Sequence, residues 1–236
     1  MHDDTLTESG WTPDPATLGD GAGKLLLIGC GALARETLAV IEANRLAHVT
    51  LTCLPALLHN RPEKIAEAVR ARIHQGRFDG FERIFVLYGD CGTGGMLDQV
   101  LEEEAVERLP GAHCYAFFDG VEAFAARAEE EIGAFFLTDF LVRQFDALVW
   151  RGLGLDRHPS LRDMYFGNYD RVVYLAQTED PDLDTKAAAA AKRLGLKLER
   201  RFTGYGALEG ALRARAPALA HDATPTDADD PVSRRP

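Results

Sequence analysis

Arg83-Ile-Phe-Val-Leu-Tyr88, followed by Gly89-Asp-Cys-Gly-Thr-Gly-Gly95 and a helical pattern from about Met96 to Arg108, is the stretch that decides the fold. A short run of β-branched and aromatic residues bounded by glycines reads as a buried strand, and the apolar spacing after it reads as a helix. The same unit recurs on either side. Upstream, Lys24-Leu-Leu-Leu-Ile-Gly29 breaks at Cys30-Gly31 into a helix through Ala32 to Leu38. Val49-Thr-Leu-Thr-Cys53-Leu54 passes through the turn His59-Asn60-Arg61-Pro62 into a helix carrying Ile65, Val69 and Ile73.

Downstream, a fourth strand is expected around Ala112-His113-Cys114-Tyr115, with a helix from Val121 to Glu131. Ala134 to Thr138 reads as strand or helix start, and Phe140 to Val149 has helical spacing. Arg171-Val-Val-Tyr-Leu-Ala176 is a strand, Leu183 to Leu194 a helix, and Lys197 to Phe202 a last strand before Gly204-Tyr205-Gly206. Alternation of this kind predicts a single α/β domain, three-layered, with a mostly parallel sheet and helices on both faces. The domain is expected over residues 23–216. Residues 1–22 and 217–236, rich in Asp, Thr and Pro, are expected to be flexible tails.

Composition limits the functions open to this chain. A hydrophobic fraction of 46% and a charged fraction of 27% over 236 residues supply a large core. The formal charge of -11 argues against tracking nucleic-acid phosphates, which needs clustered Lys and Arg. No apolar run reaches the roughly 20 residues that cross a bilayer, and no signal-peptide pattern opens the sequence, so a cytoplasmic protein is expected. The four cysteines, Cys30, Cys53, Cys91 and Cys114, are expected to be reduced thiols in a chain too large to need disulfides.

In a parallel sheet, loops leaving the carboxyl ends of the strands meet at one edge, where ligands bind. Cys30, Cys53 and Cys91 are each expected at such an exit, with Cys114 near its own strand. Clustered thiolates bind zinc, other soft metals or an iron–sulfur cluster, although a cysteine at a strand end also serves as a small buried hydrophobe. The glycines of Gly92-Thr93-Gly94-Gly95 permit close backbone approach, and amides at a helix start can hold an anion or stabilise a thiolate at Cys91. This loop is therefore a candidate cofactor-binding element, the alternative being a tight turn that needs glycine for sterics. Asp90 is a candidate proton acceptor or helix cap. His59 and His113 are candidate acid/base or metal groups, because imidazole titrates near neutrality. Asp156 to Pro159 and Tyr165 to Tyr169 suit a loop over the site, and Thr138-Asp139 and Thr203 to Gly206 carry weaker signals of the same type.

The assembled motifs resemble the DUF1638 family, named for its lack of an assigned function. The resemblance covers most of residues 24–212. It rests on Gly29-Cys-Gly-Ala-Leu-Ala-Arg-Glu36, Leu57-Leu-His-Asn-Arg-Pro62, Tyr88 to Gly95, His113-Cys-Tyr115, Phe135-Phe-Leu-Thr-Asp-Phe140, Gly154-Leu-Asp-Arg-His-Pro159 and Tyr165-Phe-Gly-Asn-Tyr169. It implies that Cys30, Cys91 and Cys114 belong to family motifs, with Cys53 outside them, which favours a three-cysteine metal site. It also implies a link with corrinoid-dependent methyl transfer and one-carbon or methylamine metabolism.

Three functions follow as expectations. The first is a cysteine-ligated metal or iron–sulfur enzyme, such as a lyase, hydrolase or methyltransferase, acting on a small molecule. The second is an accessory protein that meets a corrinoid only through a methyltransferase partner. The third is a metal-free thiol enzyme using Cys91.

Overall fold

The computed structural model describes residues 2–14 and 23–215. The first strand, β1 (Leu25–Cys30), is buried along its whole length, as expected of a parallel strand covered on both faces. A 3-10 turn over Gly31–Leu33 leads into α2 (Ala34–Ala43), the label α1 being kept for a helix at Asp3–Glu8. Next come β2 (Val49–Leu54), two 3-10 turns (Ala56–Asn60 and Pro62–Lys64), α3 (Ile65–Phe78) and β3 (Arg83–Leu87). Ile65, Val69 and Ile73 form the buried stripe of α3 anticipated from their spacing.

The α/β class holds, and the seven strands among the described residues pair in parallel. They are divided between two sheets, however, where one was expected. The first has the order β2-β1-β3-β4, with β4 at Glu107–Arg108. The second has the order β5-β6-β7, built from Ala134–Thr138, Arg171–Ala176 and Lys197–Phe202. One continuous core joins residues of both sheets, including Leu27, Val86, Leu137 and Tyr174, so the described chain is a single domain. The outer strand β7 is largely exposed and charged, which discourages further pairing at that edge.

Several sequence expectations need correction. Helix α4 runs only from Met96 to Glu103, and the chain then turns at Ala105, whose φ is 50°, to reach β4. Two charged residues carry no hydrophobic alternation, so pattern reading passed over β4. It nonetheless pairs Phe85 with Glu107 and Val86 with Arg108. The fourth strand expected at Ala112–Tyr115 is instead a set of turns leading into α5 (Ala116–Asp119).

The helix expected to Glu131 stops at Ala126 (α6, Val121–Ala126), and Phe140 to Val149 splits into α7 (Asp139–Arg143) and a π-turn at Asp146–Trp150. The remaining helices are α8 (Leu161–Phe166), α9 (Pro181–Leu194) and α10 (Gly206–Arg215).

The tail expected over residues 1–22 is also wrong for its first part. Helix α1 buries Leu6 completely, and Trp11 exchanges backbone hydrogen bonds with Cys53 at 2.8 and 2.6 Å. Gly10 and Gly31 make this docking possible, since a Cβ on either would lie 2.2 to 2.3 Å from a backbone oxygen. One leucine in a six-residue helix is too little for periodicity to register. The rest of the expected tails, residue 1 and residues 15–22 and 217–236, lies outside the described residues. No described helix is long and apolar enough to cross a membrane.

Candidate thiol site

Strand β3 delivers Tyr88, which is fully buried, and then the loop Gly89–Gly95. This loop is stitched to the segment after β4: Asp90 N–H donates to the Gly111 carbonyl at 2.9 Å and Cys91 N–H to the Ala112 carbonyl at 2.8 Å. Cys91 thereby holds a left-handed φ of 49°, a conformation that costs a non-glycine residue energy and is retained where the surroundings enforce it. The result brings Cys91 Sγ to 3.1 Å from Cys114 Sγ. The Cys114 amide donates to Cys91 Sγ at 3.3 Å, and the Gly89 amide donates to Cys114 Sγ at 3.4 Å.

These contacts separate the two thiols electrically. The Cys114 thiol and nearby backbone amides hold Cys91 below its ordinary value of 9.0 against the opposing effect of burial. Cys114 is pushed well above it by its hydrogen bond to Cys91 and by burial. Cys30 at the end of β1 is raised to about 11, chiefly by burial and further by the charge of Cys91. The pair therefore ionises first at Cys91.

Cys30, Cys91 and Cys114 stand in the wall of one inner cavity with Tyr88 and His59, the rest being mainly apolar. Its volume is about 30 Å³, enough for about two waters or one ion. The Tyr88 hydroxyl is buried there beside the Cys30 thiol. Cys53 is not in this wall. It is fully buried one residue before the end of β2, with its thiol raised by burial, and acts as a small hydrophobe.

A wider outer chamber of about 340 Å³ adjoins the cavity, sharing His59, Tyr115, Leu141 and Leu148 with it. His59 sits on the 3-10 turn Ala56–Asn60, which Asn60 fastens to the Leu148 carbonyl through a 2.8 Å hydrogen bond. The residue is exposed, yet the protein packed around its ring makes burial the main cause of its lowered pKa, with His113 adding to it. His113 lines the outer chamber alone, stacked on Tyr115 at 4.8 Å, and burial lowers it too. Both imidazoles are thus neutral at pH 7, able to accept a proton or donate a lone pair to a metal. Tyr169 lines this outer chamber as well, whereas Asp156 to Pro159 do not reach it.

The glycine loop takes a different part from the one expected. Its anion is Asp90, whose carboxylate receives the Thr93 hydroxyl at 2.6 Å and the amides of Gly92, Gly94 and Gly95 at 3.2, 3.2 and 2.9 Å. Partial burial opposes ionisation, but these donors hold Asp90 below its ordinary 3.8. Asp90 therefore orders the loop that presents Cys91, and is poorly suited to proton transfer. Gly92, Gly94 and Gly95 have spent their amides on it, and the buried Thr93 hydroxyl also accepts from Leu97 N–H.

The donor set suits a soft or borderline ion: three sulfurs and a neutral imidazole border one small space. Two thiolates on one tetrahedral ion with sulfur bonds of ~2.3 Å stand roughly 3.8 Å apart. The pair at 3.1 Å would need to open slightly. Among the described residues, no three such side chains already stand at ligand spacing.

A family described as "Protein of unknown function (DUF1638)" matches residues 53–212. That span includes Cys91, Cys114, His59 and His113, and begins after Cys30. No curated protein and no solved structure matches the chain.

Proposed function

Since the chain belongs to the DUF1638 family, whose description assigns no activity, we propose its function from the site alone: an enzyme that acts on a small molecule at a metal centre held by Cys30, Cys91 and Cys114. The observation that carries this reading is the convergence on one cavity wall of three cysteines from separate parts of the fold. The small inner volume favours a single ion, zinc by its donor set, over an iron–sulfur cluster. Such an ion supplies Lewis acidity or an activated water at its remaining position.

The chain's own residues do the rest. His59 stands at the boundary between the chambers, placed either to complete the donor set or to take a proton from a molecule arriving through the outer chamber. Tyr88 offers a buried hydroxyl on the thiol side, and the apolar wall excludes bulk water.

Elemental analysis with absorption spectroscopy of chain purified without oxygen tests the proposal. We expect one equivalent of zinc, retained in Cys53→Ser and lost in the variant with Cys30, Cys91 and Cys114 all replaced by Ser. Iron with a visible charge-transfer spectrum would replace the ion by a cluster. Protein that carries no metal, and takes up none when it is offered, would rule out both.

The 3.1 Å contact between Cys91 and Cys114 favours a second reading, a metal-free enzyme in which Cys91 is the nucleophile. In that case metal would be absent, and a substoichiometric alkylating agent would mark Cys91 ahead of Cys30, Cys53 and Cys114.

A further inference from the structure

Behind the thiol cavity lies a second pocket of opposite character, at the carboxyl ends of β5 and β6, where parallel sheets place ligands. Thr138, the last residue of β5, lines the thiol cavity, and its neighbour Asp139 lines this pocket of about 410 Å³. Arg35, Glu36, Arg143 and Tyr205 share its wall.

Its charges divide into those that are satisfied and those that are not. Asp139, completely buried, accepts from the Tyr174 hydroxyl at 2.7 Å, the Gln177 amide at 3.1 Å and the Thr178 hydroxyl at 2.6 Å. It orders the loop after β6. Asp3 of α1 places one carboxylate oxygen 2.7 Å from Arg35 Nε and the other 3.0 Å from Arg143 Nε, the second an ion pair without hydrogen-bond alignment. Glu179 pairs with Arg200, and Asp180 caps α9 through the Asp182 amide.

Glu36 differs. It is only 4% exposed, yet its Oε2 accepts no hydrogen bond from any described residue. Its nearest cation, Arg143 Nη2, is 3.9 Å from Oε1, beyond hydrogen-bond reach, and that Nη2 is itself buried with no acceptor. A buried acidic side chain with one oxygen unmet is costly, and folds keep such groups where a ligand completes them.

We propose that this pocket binds a zwitterionic α-amino acid, with its ammonium on Glu36 and its carboxylate on Arg143. The orphans are one oxygen of an acidic side chain, Glu36 Oε2, and two nitrogens, Nε and Nη2, of the Arg143 guanidinium beside it. A simple cation would leave Arg143 Nη2 unmet. A simple anion would meet that group but face both Glu36 and Asp139. A molecule with ammonium and carboxylate on one carbon answers both, and the Tyr205 side of the pocket is left to receive its side chain. The pocket shares no wall residue with the thiol cavity, so this binding does not rest on the metal proposed above.

Calorimetric titration of the full chain with each L-α-amino acid tests the proposal, with propionate and ethylammonium as half-ligands. At least one amino acid is expected to bind, with both half-ligands weaker by about tenfold or more, the scale of losing a charged hydrogen bond. Glu36→Gln keeps the shape of the side chain and removes its charge, and should weaken the amino acid by a similar factor. Arg143→Lys, which keeps the charge and removes Nη2, provides the second variant. No binding by any amino acid, a half-ligand as tight as the whole, or unchanged binding in both variants would overturn the assignment.

Discussion

Gly89→Ala is expected to destabilise the fold by about 1–3 kcal/mol and to separate Cys91 from Cys114. A Cβ on Gly89 would stand 2.6 Å from the His113 carbonyl carbon, 2.8 Å from its Cα and 2.9 Å from the Cys114 nitrogen. All three are backbone atoms, so no side-chain rotation relieves the clash, and the segment carrying Cys114 must move. Denaturant unfolding measures the first effect. A bifunctional thiol alkylator that links only adjacent sulfurs measures the second, joining Cys91 to Cys114 in the parent and failing in the variant. Gly94→Ala is the control. A Cβ there meets nothing within 4 Å, so only its φ of 62° is strained, at about 1 kcal/mol, and the cross-link should survive. An intact cross-link in Gly89→Ala would show that the close approach at this glycine does not position Cys114.

Glu36→Gln is expected to stabilise the chain by about 3 kcal/mol above pH 7 and to change little below pH 4.5. Burial, the largest cause, raises the Glu36 carboxyl from 4.5 to about 7, with its own backbone amide and then Arg143 only partly offsetting it. Between those values the folded chain keeps a proton that the unfolded chain has released. The stability linked to this group is therefore whole below pH 4.5 and is lost as pH rises through 7. Glutamine has no proton to lose. The difference between variant and parent, measured by urea unfolding from pH 4 to pH 8, should grow from near zero to its plateau across that window. A flat difference would mean that Glu36 is as well solvated in the fold as out of it.

How much of this was legible in the sequence depended on what each residue type announces. Strands β1, β2, β3 and β6 are short apolar runs ending at glycine, cysteine or polar breaks, and were read close to their observed ends. Strand β4 was not, because Glu107 and Arg108 join the sheet through backbone pairing to β3 and show no pattern of their own. The division into two sheets was likewise invisible, since strand order is set by packing between distant segments.

At the site, the placement of Cys30 and Cys91 followed from their strand exits. Cys114 reached the cavity by a different route, a turn held under Gly89. Asp90 and its glycines were noticed for the right reason, amides collecting an anion, but the anion proved to be internal. Tyr88 was read only as the end of a strand, and a clue lay in its position directly before the glycine loop. Glu36 and Arg143 were missed because charges on helices normally read as solvent-facing. Only tertiary packing buries Glu36 and encloses Arg143 Nε and Nη2.

Cobalt(II) titration of the oxygen-protected, metal-free chain tests the central claim most directly, because thiolate–cobalt bonds report the number of sulfurs through their charge-transfer absorption. One equivalent should bind with a tetrahedral visible spectrum, each of Cys30→Ser, Cys91→Ser and Cys114→Ser should lose one sulfur's share of the charge-transfer band, and Cys53→Ser should lose none. Absorption that never develops, or that survives undiminished when Cys30 is replaced, would contradict a three-sulfur centre.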